Sequence, residues 1–285
     1  MEPNKRLTAS LIVGQADCIA QLCDVAARIT SGLTIPGLDS YEMLAASLLE
    51  KQIEHARGIL LLGAHPDARL IARAMMEVYW QVDWATNDPQ SRAWRWSAFS
   101  MIKDWRTMLY REANREAVPS EEKAAVFAWI DEFGKEFEVP KKRKKRRVTL
   151  ANGVVYEDPY VMAWHGMSVA GLARAAGDYG EYLRAYSVFS DRVHSDTVEI
   201  ARSLEFTPGQ VLYNGASPEG HVAALHTAFE YLWWTARVVD QSLSRGLADE
   251  ILALGDRYKA VGEAAGIGIA PPLMVPEGDA TIPPE

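Results

Sequence analysis

Apolar residues recur at the helical period of 3.6 along almost the whole chain. That pattern constrains the fold more than any other feature. A polypeptide that writes one amphipathic helix after another, with short Pro- or Gly-marked breaks, has to bury those stripes against one another. The reading is therefore all-α: a multi-helix, mostly antiparallel bundle with one short β-hairpin insert. A first helix is expected over about Leu7 to Ile29. Asp39 and Glu42 form a capping box for a second that runs to about Gly63. A third starts at His65-Pro66-Asp67 and reaches about Trp84. A fourth, rich in Trp and Arg, spans about Ser91 to Glu116. A fifth, with Ser120 as N-cap, ends near Glu138.

The strand signal is local. In VTLANGVVYEDPY, Asn152-Gly153 lies between β-prone flanks, which is how a short hairpin turn is written. No other strand is expected. Helices resume at about Met162, and Gly177 stops the first of them. Asp178 and Glu181 read as a second capping box for a helix to about Leu204. Phe206 to Ala216 reads as a loop, Ser217-Pro218-Glu219 as the start of a helix to about Ser244, and about Ala248 to Ala265 as the last helix. The chain divides into an N-terminal helical part (1–139), a basic insert with the hairpin (140–160), a C-terminal helical part (161–265) and a Pro-rich tail (266–285).

Charge is concentrated. Lys141, Lys142, Arg143, Lys144, Lys145, Arg146 and Arg147 are consecutive. Taking these seven from the 30 Lys and Arg leaves 23 against 38 Asp and Glu, a balance of −15 for the rest of the chain. Such a run binds phosphates by counterion release, or folds back on an acidic surface as a solvated loop. No aromatics interleave it, so base stacking within the run is not expected.

Cys18 and Cys23 are the only cysteines, and their spacing turns them to different helix faces. A Cys-based zinc site is excluded on count, and a reducing, cytoplasmic setting fits. No apolar run is expected to reach the roughly 18 to 20 residues that span a bilayer. Asp17 and Asp24 argue against a signal peptide. The histidines do not space as metal ligands, although His226 and Glu230, four apart, can meet. No phosphate loop, dinucleotide fingerprint, nucleophile elbow or HExxH is present. No metal and no cofactor is expected.

One motif stands out. Tyr182, Tyr186, Ser190 and His194 recur every fourth residue, a drifting stripe on a helix. At about 100° per residue, Tyr182, Tyr186, Phe189 and Val193 share an arc of about 60°, which leaves Ser190 and His194 at the edge of the core face. A hydroxyl and an imidazole on adjacent turns can share a hydrogen bond. His194 is then a candidate acid/base and Ser190 its orienting group, weighed against an ordinary surface histidine. On the third helix Arg73, Glu77, Trp80 and Trp84 form a stripe, with apolar residues on a second face. A helix buried on two sides shelters Arg73 and Glu77, which then pair with each other or with a ligand anion.

ARAMMEVYWQVDW together with MSVAGLARAAGDYGEYLRAYSVFSDRVHSD resembles a bacterial helical family, domain of unknown function five-six-seven-seven. The shared pattern has an Arg and a Glu enclosing three residues, a small-residue helix ending in Gly, and a Tyr, Tyr, Ser, His series. Here these are Arg73, Glu77, Gly177, Tyr182, Tyr186, Ser190 and His194, over roughly Tyr41 to Asp196. The resemblance implies a helical fold and convergence of the Arg/Glu and Ser/His patches, and it implies no activity. A looser likeness is to the HEPN helical ribonucleases of bacterial toxin and phage-defence systems. Their signature is an Arg, four to six residues, then a His. Arg192 lies too close to His194 and Arg184 too far, so an Arg from another helix, such as Arg73, would have to serve.

Two functions are thus expected. One is binding of RNA, DNA or another polyanion through Lys141 to Arg147, with Tyr182 and Tyr186 contributing. The other is an RNA-directed hydrolase using His194, Ser190, Arg73 and Glu77. No membrane contact is expected, and oligomeric state is not legible.

Overall fold

The computed structural model describes residues 3–34, 39–140, 146–149, 153, 155–193, 204–207, 210–213 and 218–266. The protein is all-α. Helix α1 (Pro3–Thr30) is followed by α2 (Ser40–Leu62), α3 (Ala68–Thr86), α4 (Pro89–Ala113) and α5 (Ser120–Phe133). The expected capping box opens α2. The Asp39 carboxylate accepts from the Tyr41 and Glu42 backbone N–H groups, both at 2.8 Å, and Glu42 accepts from the Asp39 N–H at 2.9 Å. At the other end Gly63 takes a positive φ of 56° and its N–H reaches the Ile59 carbonyl, closing the helix where a side chain would be strained.

Strands β1 (Arg146–Thr149) and β2 (Val155–Asp158) pair antiparallel, with Arg146 opposite Asp158 and Thr149 opposite Val155. Gly153 has a φ of 82°; Asn152, the other expected turn residue, lies outside the described residues. After α6 (Val169–Ala175), the motif segment is built from α7 (Tyr179–Glu181), a π-helical turn (Tyr182–Tyr186) and α8 (Ser187–Val193). Strands β3 (Leu204–Thr207) and β4 (Gln210–Tyr213) precede α9 (Pro218–Leu243) and α10 (Ala248–Ala264).

The core draws on both sides of the basic insert. α9 packs on α1, α2, α3 and α10, while α2 also packs on α1, α3 and α4. Along α9, Leu225, Ala228, Phe229, Leu232, Ala236 and Val239 are fully buried. That is the i, i+3, i+4 stripe the sequence spells, and each large side chain contributes roughly 1.5–3 kcal/mol of burial. Gln52 of α2 sits in this core. Its amide donates to the Met75 carbonyl and the Thr235 hydroxyl, both at 3.0 Å, tying α2 to α3 and α9. Gly14 lets α1 approach α10, since a Cβ there would lie 2.7 Å from Val261. Helix α3 is buried on two sides as expected, against α2 and α9 on one and α6, the π-helical turn and α8 on the other.

Several expectations need correcting. Leu204 is in β3 and not at a helix end, and Phe206, Thr207 and Gln210 to Tyr213 belong to a strand pair and not to a loop. Short apolar runs such as QVLY cannot be told apart as strand, loop or helix by periodicity. Helix α6 starts at Val169, capped by Ser168, and not near Met162, because Gly166 turns the chain with a φ of 73°. Pro119 occupies the N-cap position of α5, and Ser120 is its first residue. The expectation that no apolar run is long enough to cross a membrane also fails on length and composition: Thr8–Thr30 passes that test. Nearly half of that stretch is buried in the bundle, against α2, α9 and α10, as a core helix would be. Cys18 and Cys23 are both free and buried, in line with their spacing.

Candidate functional site

Two distant segments meet at Tyr186. The Tyr186 hydroxyl, on the π-helical turn, accepts from Arg73 Nη2 at 2.7 Å and donates to Glu77 Oε1 at 2.7 Å. Arg73 Nε stands 3.5 Å from the same Glu77 oxygen, and the guanidinium carbon lies 4.6 Å from the centre of the Tyr186 ring. Burial and the Glu77 carboxylate push the Tyr186 phenol well above its usual pKa, so it acts as a neutral bridge and not as a phenolate.

The uniform helical spacing does not survive intact. The Ser187 N–H reaches back to the Tyr182 carbonyl, five residues away, which inserts a π turn into the motif. Such turns are frequent at functional sites. Tyr179, Tyr182 and Tyr186 still form a stacked series, with centroid separations of 5.6 and 5.1 Å. Ser190 donates to the Tyr186 carbonyl at 2.8 Å, so its hydroxyl proton is occupied by its own helix. His194 lies outside the described residues.

Asp178 plays a different part from the one its sequence position suggests. It makes no side-chain cap at the helix start. Its Oδ2 accepts from Trp80 Nε1 of α3 and from the Tyr231 hydroxyl of α9, both at 2.6 Å. Two buried donors on separate helices outbid the cap, because leaving either unpaired would cost about 1–3 kcal/mol. Burial raises the Asp178 pKa against the pull of those two bonds. It also lifts Asp83 to about 6, with the charge of Asp178 adding to the effect.

Beside this hub, His226 and Glu230 do meet, with Nε2 3.4 Å from Oε2. The other imidazole nitrogen, Nδ1, is 3.1 Å from the Tyr258 hydroxyl, which accepts from Gln15 Nε2 at 2.7 Å. The imidazole is thereby held between Tyr258 and Glu230. Burial holds His226 below the usual imidazole pKa. Burial first, then the charges of Glu181 and Asp178, lift Glu230 to about 7, against the opposing Arg184. A carboxyl poised near neutrality and oriented through an imidazole has the properties of a general acid or base. Asp178, Glu230, Tyr231, Tyr258 and Asp83 were not singled out as site residues from the sequence. The i, i+4 pair His226/Glu230 was the one readable hint.

The segments that flank the basic run are tied together. Val139 N–H donates to the Pro159 carbonyl at 2.7 Å and Val161 N–H to the Phe137 carbonyl at 2.8 Å, closing the two ends of the insert together. Asp158, 1% exposed, takes an ion pair from Arg106 Nε at 2.8 Å, and Tyr160 packs edge-on to Trp105. Arg147 points outward, its side chain 77% exposed, 3.6 Å from Glu157 on the paired strand. Lys141 to Lys145 lie outside the described residues, and Arg146 is placed by its backbone pairing alone. Among the described residues no group of three His, Cys, Asp or Glu is arranged to hold a metal ion.

Residues 42–211 match the model of a family of unknown function, DUF5677, which is more than half of the chain. No curated protein and no solved structure matches. The match covers α3 and the motif segment, and it lends no support to the HEPN likeness.

Proposed function

The chain belongs to DUF5677, a family without a described activity, and on that footing we propose that it is a cytoplasmic protein that binds RNA, DNA or another polyanion through Lys141 to Arg147. The observation that supports this reading is the clamp at the foot of the insert. The backbone pairs at Val139 and Val161, with the Arg106–Asp158 ion pair, turn the insert into an arm with a fixed root. Fixing the two ends of a charged segment before contact reduces the entropy lost on binding. An acidic body of net −15 outside the run disfavours a polyanion over most of the surface, which concentrates contact on the arm.

The test is fluorescence anisotropy with labelled single-stranded RNA, single-stranded DNA and heparin. It uses the full chain and a variant with all seven cations changed to Gln. Seven phosphate contacts to a single strand give a log–log salt slope of about −5, so affinity for the full chain falls roughly 10³-fold between 50 and 200 mM salt. The variant loses that binding. Binding that survives neutralisation refutes the arm as the contact.

A second reading, RNA-directed hydrolysis with His194 as acid/base beside Ser190 and Arg73, is favoured by the Tyr186 bridge. It brings the Arg73 guanidinium and Glu77 carboxylate onto the motif turn that leads to His194. His194→Ala is then expected to abolish RNA cleavage or cellular toxicity with an unchanged melting temperature. Loss of stability, or retained activity, counts against it.

A further inference from the structure

At the foot of the arm lies a second cationic feature, separate from the basic run. Arg92 and Arg95 stand on the first turns of α4, facing the end of α3 and the chain around Gly166. Arg92 lies over the Trp84 ring at 4.1 Å and donates through Nη1 to the Trp84 carbonyl. Arg95 donates through Nε to the Trp164 carbonyl at 3.2 Å and through Nη1 to the Glu136 carbonyl at 2.6 Å, with its guanidinium 4.7 Å from the Phe137 ring. Trp84, Trp164 and His165 close the group, with ring centroids 5.2 to 6.3 Å apart.

These guanidinium groups differ from the ion-paired ones in the bundle. Arg28, Arg73, Arg106, Arg111 and Arg184 each have a carboxylate within ion-pair distance. Among the described residues Arg92 and Arg95 have none. Asp88 and Glu136 act on them only through space, and burial lowers the pKa of both guanidinium groups. Partly desolvated cations held by neutral carbonyls and aromatic rings lack a counter-charge.

Donors also remain. Among the described residues, Arg92 Nε and Nη2 and Arg95 Nη2 have no hydrogen-bond partner. The His165 Nδ1 accepts from the Met167 N–H at 3.2 Å, which leaves its proton on Nε2. Gly166, with a φ of 73°, brings its backbone beside Arg95: the position of a Cβ there is 3.9 Å from Nη2. Two guanidinium forks and an imidazole N–H beside indole rings are donors of the kind a tetrahedral oxyanion takes.

We propose that Arg92, Arg95 and His165 form a pocket for a phosphate group. The phosphate is either a free or terminal monoester or a backbone diester of a strand held by the arm. Trp84 beneath Arg92 and Trp164 beside His165 make tryptophan emission the natural readout. Inorganic phosphate added to the full chain is expected to give a saturable change in emission and to raise the melting temperature. Arg92→Gln and Arg95→Gln are each expected to weaken that response at least tenfold, while the variant with Lys141 to Arg147 neutralised keeps it. Retention in that variant separates this pocket from the polyanion reading. If polyanion binding fails but phosphate still saturates, the pocket stands.

Short oligonucleotides with a 5′-phosphate and with a 5′-hydroxyl distinguish the sources. Competition by the first alone identifies a terminal monoester, and equal competition by both identifies the backbone. Arg95 also secures two backbone carbonyls, so its Gln variant is checked for folding by circular dichroism; the wild-type titration decides independently. No saturable response up to about 20 mM phosphate, an affinity too weak to matter, overturns the proposal. So does a response that Arg92→Gln and Arg95→Gln both leave intact in folded protein.

Discussion

Glu230→Gln makes the sharpest physical test of the buried polar cluster. In the folded protein Glu230 ionises at about 7, against 4.5 for the free side chain, chiefly through burial and then through Glu181 and Asp178. A raised carboxyl pKa means that the native state holds its proton more tightly than the unfolded chain does. Between pH 4.5 and 7 the native state therefore binds more protons, and stability falls as pH rises. At 1.36 kcal/mol per pKa unit, the full loss by pH 8 is about 3 kcal/mol as an upper bound. Gln cannot ionise, and its carbonyl oxygen can still accept from His226 Nε2. The variant is expected to match the wild type at pH 4.5 and to exceed it by about 2–3 kcal/mol at pH 8, a rise of roughly 6 °C or more in melting temperature. Urea melts of both proteins at half-unit steps from pH 4.5 to 8.5 give the curve directly. A difference between the two that does not change with pH would refute the argument, because it would mean that the carboxyl is not held protonated by its surroundings.

Asp178→Ala strands the Trp80 and Tyr231 donors inside the bundle and is expected to cost about 2–5 kcal/mol, with Asp178→Asn costing less because one acceptor oxygen remains; chemical denaturation ranks the two. Asp158→Ala leaves the Arg106 guanidinium without its buried partner, an expected loss of about 3–5 kcal/mol. Since that pair roots the arm, proteolytic cleavage between Lys141 and Arg147 should accelerate by more than the global loss of stability explains. Equal acceleration at sites throughout the chain would show that the pair does not act on the arm.

Much of the architecture is written in the order of residues along the chain. The period of 3.6 marks the amphipathic helices, and the Asp39/Glu42 box and the Gly63 terminus set their ends, because propensity, capping and patterning act within a turn or two of the residue concerned. The pairing of Arg73 with Glu77 and of His226 with Glu230 is local in the same sense, since residues four apart on a helix are neighbours whatever surrounds them. What a carboxylate does once it is buried is not local. Asp178 has the spacing of a helix cap, but Trp80, 98 residues away, and Tyr231, 53 residues away, claim it. The π turn that reshapes the Tyr, Tyr, Ser, His series, the raised ionisation of Glu230 and the joining of Val139 to Pro159 likewise arise only when separate segments pack. Burial and the long-range field depend on which side chains converge in space. Helix-forming tendency depends on which residues are adjacent in the chain. That is why the bundle was readable beforehand and the chemistry of its interior was decided by the tertiary structure.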